Sequence, residues 1–322
     1  MRSKAHNSHS PYLGRGHYGM CDGSMKISFI VFVLQILLCR STGTPHAGAS
    51  SSHALVPFTY AGAEHKQTFL APTRIFEFSN LKKRRVKIKQ EYKANGAGLG
   101  SAVWDGSFVL SEYMQREVDV NKKCIVEVGC GLGLVSVVLG MSGEENFIIA
   151  TDGDSKLFPL LKKNFEHNLG TKKVNEKIAI QKLKWGNFSE MDLVIDKCKE
   201  KNGIDLIVAA DVVFEHDPEK KNVTDGLHLA NATFRLLHDT LEYLSVRTNK
   251  IHGKVPKIYL AYKQRYSREG SFFALAQKSF HASIVPKRKI HRDFLRAKIK
   301  IFEFTLKTEI GSPVSEEKMT DL

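Results

Sequence analysis

The twelve residues Cys124-Ile-Val-Glu-Val-Gly-Cys-Gly-Leu-Gly-Leu-Val135 constrain the fold more tightly than any other part of the chain. An apolar run of strand length ends in three alternating glycines, and a helix-length apolar segment, Leu134 to Met141, follows and stops at Gly143. A chain turns this sharply out of a strand, and brings bare N–H groups against a ligand, only where no Cβ intervenes. A second apolar run, Phe147-Ile-Ile-Ala-Thr-Asp152, ends on an acid. At that place a carboxylate accepts hydrogen bonds from both hydroxyls of a ribose.

Spacing separates the nucleotides that such a unit could hold. The glycines are Gly129, Gly131 and Gly133, and Leu134 stands where the dinucleotide fingerprint G-x-G-x-x-G requires a glycine. The pattern therefore favours S-adenosylmethionine (SAM) over NAD, while an ordinary tight turn needs one glycine and not three.

Similar alternation continues along the chain. Arg74-Ile-Phe-Glu-Phe78 and Arg85-Val-Lys-Ile-Lys-Gln90 flank Ser79-Asn80 and predict a β-hairpin. Lys82-Lys-Arg-Arg85 reads either as a strand edge protected by charge or as a nuclear-import signal. A glycine-rich loop, Gly96 to Gly100, leads into Val103-Trp-Asp-Gly-Ser-Phe-Val-Leu-Ser-Glu-Tyr113, a loop feeding an amphipathic helix. Leu157, Leu160, Leu161 and Phe165 give a helix with one apolar face. Counting the glycine-turn strand as the first, Ile178 to Leu183 and Asp205 to Ala210 are the third and fourth. The fourth is almost continuously apolar, as a strand covered on both faces should be. Leu227 to Leu244 predicts a helix, Lys257 to Tyr262 a fifth strand, Phe272 to Phe280 a helix and Ile299 to Phe304 a terminal strand. Strands alternating with helices predict an α/β, doubly wound sheet. The expected organisation is a mobile leader over 1–72, a folded domain over 73–306 and a disordered tail over 307–322.

A formal charge of +14 favours an acidic protein surface, an anionic membrane face or nucleic acid, or else is non-specific. The five cysteines form no C-x-x-C pair and are odd in number, so neither a zinc site nor a disulfide framework is indicated. Cys124 and Cys130 read as small buried hydrophobes, which suits a reducing compartment. His167 and His216 lack a second ligand at metal spacing. Met25-Lys26 followed by the apolar run Ile27 to Cys39 has the layout of a targeting segment. It is too short for a membrane span, so the mature domain is expected to have none. Asn187, Asn222 and Asn231 begin glycan sequons. A glycan two residues from Trp185 would crowd the site, which argues against lumenal residence and leaves organelle targeting open.

Several short motifs stand in a familiar order: Val103-Trp104-Asp-Gly-Ser with Leu110 and Tyr113, Val126-Glu127-Val-Gly-Cys-Gly-Leu-Gly-Leu134, Thr151-Asp152, and Asn164-x-x-x-Asn168. Lys184-Trp185-Gly186, Ala210-Asp211-Val-Val-Phe214 and Tyr262-Lys-Gln-Arg265 complete the set. Over residues 85 to 305 or so, the chain resembles the family sixteen group of SAM-dependent protein-lysine methyltransferases. The resemblance implies a doubly wound, mostly parallel, seven-stranded Rossmann-like sheet with an N-terminal hairpin extension. It also implies SAM as cofactor, a protein substrate presenting a lysine, a monomer, and cytoplasmic or nuclear residence. Trp104, Glu127 and Trp185 would frame the cofactor with Gly129, Gly131, Gly133, Asp152 and Ala210. Asp211 and Phe214 would open toward the transferred methyl and the acceptor. The charged segment from Glu215 to Asp225 is longer than the family pattern, so no particular substrate carries over.

Each site residue has a plainer alternative. Trp104 and Trp185, the only two tryptophans, could pack in the core. Asp152 could cap the helix beginning after Ser155, and Asp211 could also cap a helix. Phe214 is either core or an aromatic wall that attracts an amine. Arg265 and Tyr266 line an acceptor channel or lie on the surface. Two other functions compete with lysine methylation. A nucleic-acid methyltransferase fits the charge, but Asp211-Val-Val-Phe214 replaces the Asn/Asp-Pro-Pro-aromatic element usual in adenine-N6 enzymes. A SAM-binding interaction module without turnover is the other.

Overall fold

The computed structural model describes residues 71–307 except 79, 82–84, 92–97, 215–225, 266–268 and 296. The targeting segment and nearly all of the leader, most of the basic run at 82–85, the 215–225 segment with His216, Asn222, Tyr266 and the tail beyond 307 lie outside the described residues.

The predicted hairpin forms from β1 (Thr73–Glu77) and β2 (Arg85–Lys89), which pair antiparallel as a separate two-stranded sheet. The seven-stranded main sheet contains β3 (Cys124–Val128), β4 (Phe147–Asp152), β5 (Ile178–Lys182), β6 (Leu206–Ala210), β7 (Lys257–Lys263), β8 (Phe280–Ile284) and β9 (Ile299–Leu306). Their order is β5-β4-β3-β6-β7-β9-β8, with β9 antiparallel to both its neighbours. This is the doubly wound, mostly parallel architecture expected.

Alternate residues of β3 show why helices cover both faces. Ile125 enters one core, with α1 (Asp105–Glu117), α2 (Leu134–Ser142), α3 (Phe158–Leu169) and α4 (Thr171–Lys177). Cys124, Val126 and Val128 enter the other, with α5 (Phe188–Cys198), α6 (Gly226–His252) and α7 (Gly270–Ser279). No helix among the described residues is long and apolar enough to cross a membrane.

Two expectations need correction. The helix expected to run through Phe280 ends at Ser279, and Phe280 opens β8, an edge strand that buries only its first residue. The third strand stops at Lys182, and a helix that was not anticipated, α5, fills the interval before β6. Asn187 caps that helix by accepting the Glu190 N–H at 3.1 Å.

The hairpin is held to the main body by Asn164 and Asn168, one turn apart on α3. Their side-chain oxygens accept from Lys89 N and Lys87 N, each at 2.9 Å. Their amide groups donate back to Lys89 O at 3.2 Å and Lys87 O at 2.8 Å. Two asparagines thus act as a short substitute strand, satisfying the outer edge of β2 as a sheet neighbour would.

Candidate functional site

The chain runs outward from β3 through β4 to β5, then returns to place β6 on the opposite side of β3. The carboxyl ends of β3 and β6 therefore flank the crevice in which open α/β sheets bind ligands. The glycine turn follows β3, and Asp211 follows β6.

All three turn glycines have positive φ: 70° at Gly129, 52° at Gly131 and 80° at Gly133. A Cβ on Gly129 would stand 2.7 Å from Val212 Cγ1, and one on Gly131 would stand 2.9 Å from Gly100 O. On Gly133 it would meet Leu161 Cδ1 at 2.5 Å and Phe165 Cε1 at 2.6 Å. The space these glycines leave is occupied by other parts of the chain, not held open solely for a ligand. Gly131 admits the 98–101 segment, and Gly133 lets α3 pack against the start of α2.

Asp152 closes the turn. Its Oδ2 accepts from Gly131 N at 2.9 Å and its Oδ1 from Asp154 N at 3.0 Å. Burial raises its carboxyl above the ordinary range, and these N–H groups oppose that rise. Asp154, not Asp152, caps the short helical turn that precedes α3.

Glu127 is 2% exposed and accepts from both the N–H and the hydroxyl of Ser136 in the first turn of α2. Burial pushes its pKa up to about 8, with the Ser136 bonds acting in the other direction. Its carboxyl fixes the N-terminus of α2, the end whose positive partial charge faces the crevice.

Trp185 is half-buried, with Cζ2 3.7 Å from where a Cβ on Gly129 would stand. The Phe214 ring centroid lies 6.1 Å from that of Trp185, with the planes at 60°. Ala210 ends β6 in register with Ala261 of β7.

Asp211 adopts φ 56°, a left-handed conformation that turns the chain out of β6 and that Asp tolerates better than most side chains. Its carboxylate is almost fully enclosed. Oδ2 accepts from Gly106 N in the first turn of α1 at 2.6 Å, and Oδ1 pairs with Arg265 Nη2 at 2.9 Å. A Cβ on Gly106 would collide with this carboxylate, so the glycine permits the approach. Burial raises the Asp211 carboxyl, while Arg265 and the Gly106 N–H pull it down.

The Arg265 guanidinium carbon lies 5.3 Å from the centroid of Trp104, whose Nε1 donates to Leu99 O at 2.9 Å. Beside it, Lys263 Nζ pairs with the buried Asp105 at 2.9 Å. The two alternatives for Asp211 are thus combined: it caps α1 and stands at the carboxyl edge of the sheet.

The candidate residues fall into two groups at one sheet end. Gly129, Gly131, Gly133, Asp152, Glu127 and Trp185 surround the turn after β3. Asp211, Trp104 and Phe214 surround the end of β6, with Ala210 between the groups. Sequence reasoning did not identify the Asp211 partners Gly106 and Arg265, 105 and 54 residues away. The Val103-Trp104-Asp-Gly-Ser and Tyr262-Lys-Gln-Arg265 motifs contain both residues, and Arg265 reads from sequence as lining an acceptor channel or lying on the surface, but neither was paired with Asp211.

The family model described as lysine methyltransferase matches residues 80–279. Protein N-lysine methyltransferase METTL21A of Mus musculus is 29% identical over 242 residues, covering 74% of this chain and 94% of that protein. Protein-lysine N-methyltransferase EFM6 of Saccharomyces cerevisiae is 27% identical over 228 residues, covering 66% of this chain and 82% of that protein. A solved structure from Streptococcus mutans, described as a SAM-dependent methyltransferase, aligns with 73% of this chain and 56% of its own. Its 11% identity and TM-score of 0.42 add nothing to what the sheet order already establishes. With the match extending over more than half of its length, the chain belongs to the lysine methyltransferase family.

Proposed function

We propose that the protein transfers a methyl group from SAM to the side-chain amine of a lysine in a protein substrate, acting as a monomer. The observation that carries this reading is the pairing, across one switch point, of a glycine turn closed by Asp152 with an enclosed carboxylate, Asp211, among aromatic rings.

The donor and acceptor set fits SAM. Main-chain N–H groups at the start of α2 suit the carboxylate of an amino-acid moiety. Asp152 uses two oxygens for two N–H groups and keeps lone pairs for a ribose diol. The half-buried Trp185 offers an aromatic border for adenine. When bound, SAM supplies a methyl group on a sulfonium.

The protein has to align the acceptor, exclude water and leave the amine unprotonated. A lysine with an ordinary pKa of about 10.4 loses its proton more readily between apolar walls. Its lone pair would then form the new N–C bond as the methyl–sulfur bond breaks, the electron pair staying on sulfur in the departing thioether, S-adenosylhomocysteine. In this reading Phe214 stands beside the acceptor path, Asp211 orients the amine as a hydrogen-bond acceptor, and Trp104 helps to frame the cofactor. The +14 charge suits a substrate with an acidic surface.

Incubating the purified protein and methyl-labelled SAM with separated protein, RNA and DNA fractions tests this. Label in protein, recovered as methyl-lysine after hydrolysis, is expected. Label in nucleic acid alone would replace this function, and SAM binding without any label would favour an interaction module.

A further inference from the structure

Among the described residues, carboxylates and cations at the Asp211 edge are equal in number, and Arg265 is one of the cations. Three carboxylates meet there: Asp211, Asp105 and Glu269. Three cations answer them: Arg265 at 2.9 Å from Asp211, Lys263 at 2.9 Å from Asp105, and Arg74, whose pKa burial lowers to about 10 while the Asp105 charge opposes that fall. The Tyr262 hydroxyl donates to Glu269 at 2.6 Å, and the Arg265 N–H donates to the same oxygen at 2.9 Å. Among the described residues these are the titratable groups facing Asp211 and Arg265 from α1, β1, β7 and the start of α7.

Arg265 is also fixed in place. One nitrogen bonds Asp211, another donates to Lys263 O at 3.2 Å, and its plane lies near the Trp104 ring.

Under the proposed function, an amine that reaches Asp211 must be neutral to attack a methyl group. A buried carboxylate without a counter-ion opposes this, because it stabilises the ammonium and raises its pKa. A guanidinium stays charged at every working pH and cancels that effect. The carboxylate lone pairs still remain available to accept an N–H. We propose that Arg265 is a positioning residue that keeps the acceptor lysine in its neutral, reactive form by presenting Asp211 as a hydrogen-bond acceptor without net charge. The proton leaves to solvent before transfer.

The test is the pH dependence of initial transfer from methyl-tritiated SAM to a protein extract held at limiting concentration. Wild type is compared with Arg265→Gln, Arg265→Lys and Asp211→Asn. Arg265→Gln leaves one negative charge in excess, so the acid limb moves to higher pH by about one unit, a roughly tenfold loss below the limb that recovers at alkaline pH. Arg265→Lys keeps the limb in place. Asp211→Asn leaves one positive charge in excess and moves the limb to lower pH, whatever its rate, and decides the matter if Arg265→Gln does not fold. Rates lowered in proportion at every pH, with the limb unmoved, would indicate a purely structural arginine and overturn the proposal. Absence of transfer to protein by the wild type would instead overturn the proposed function on which it rests.

Discussion

Gly129→Ala isolates one close contact of the crevice. The new methyl would sit 2.7 Å from Val212 Cγ1, and the backbone at φ 70° disfavours a residue with a Cβ. The left-handed conformation costs about 1–2 kcal/mol and overpacking a buried site about 1–3 kcal/mol, so the variant should lose about 2–5 kcal/mol. For a domain of this size that is a fall in Tm of roughly 5–15 °C.

Val212 is buried and β-branched, and it has little freedom to move aside. Val212→Ala should therefore relieve the clash. In a double-mutant cycle read by urea unfolding, the pair should be about 1–3 kcal/mol more stable than the sum of the single losses. Additivity within about 0.5 kcal/mol would show that the 129–212 contact is not what makes a glycine necessary, and would refute the argument.

Three further outcomes follow from buried polar groups. Glu127 has a folded pKa of about 8 against an ordinary 4.5. Between those values the folded state retains a proton that the unfolded state has lost, so its stabilising contribution is full below pH 4.5 and disappears as pH rises through 8. Tm measured from pH 5 to 9 should fall, and Glu127→Gln should flatten the slope. Replacing Asn164 and Asn168 together by Leu strands the Lys87 and Lys89 main-chain groups at about 1–3 kcal/mol each. Hydrogen exchange should then quicken in β1 and β2 while β3 and β4 stay protected. Asp211→Ala should lower stability by about 3–5 kcal/mol by chemical unfolding, since it leaves Arg265 and the Gly106 N–H without their partner. Unchanged stability would mean that the cap and ion pair contribute little.

The parts of the fold legible in the sequence are those with a strong local signal. β6 is an unbroken apolar run, and β3 and β4 are apolar apart from Glu127 and the closing Thr151-Asp152; a strand buried on both faces has little alternative. The glycine turn announces itself because several closely spaced residues require positive φ.

Where signals overlapped, the reading failed. Phe188, Met191, Val194, Ile195 and Cys198 have helical spacing, and Asn187 with Glu190 forms an N-terminal capping pattern. The same Asn187 also begins a sequon, which drew attention from the helix. β8 gave no signal because four of its five residues face solvent, which removes the alternation that marks a half-buried strand.

At the site, Asp211 and Asp152 were found because each ends an apolar run. What they bond to was not legible. Gly106 and Arg265 come to Asp211 through tertiary packing alone, and nothing in the spacing of those residues distinguishes a partner from a neighbour. Asn164-x-x-x-Asn168 is an instructive middle case. The motif was visible, but its role depends on β2 lying alongside α3.

The most direct test of the account is calorimetric titration of the folded protein with SAM, S-adenosylhomocysteine and NAD, repeated with Asp152→Ala. One-to-one binding of the first two ligands, no heat with NAD, and at least tenfold weaker SAM binding by the folded variant are predicted. Heat with NAD and none with SAM, or equal SAM affinity without the Asp152 carboxylate, would contradict it.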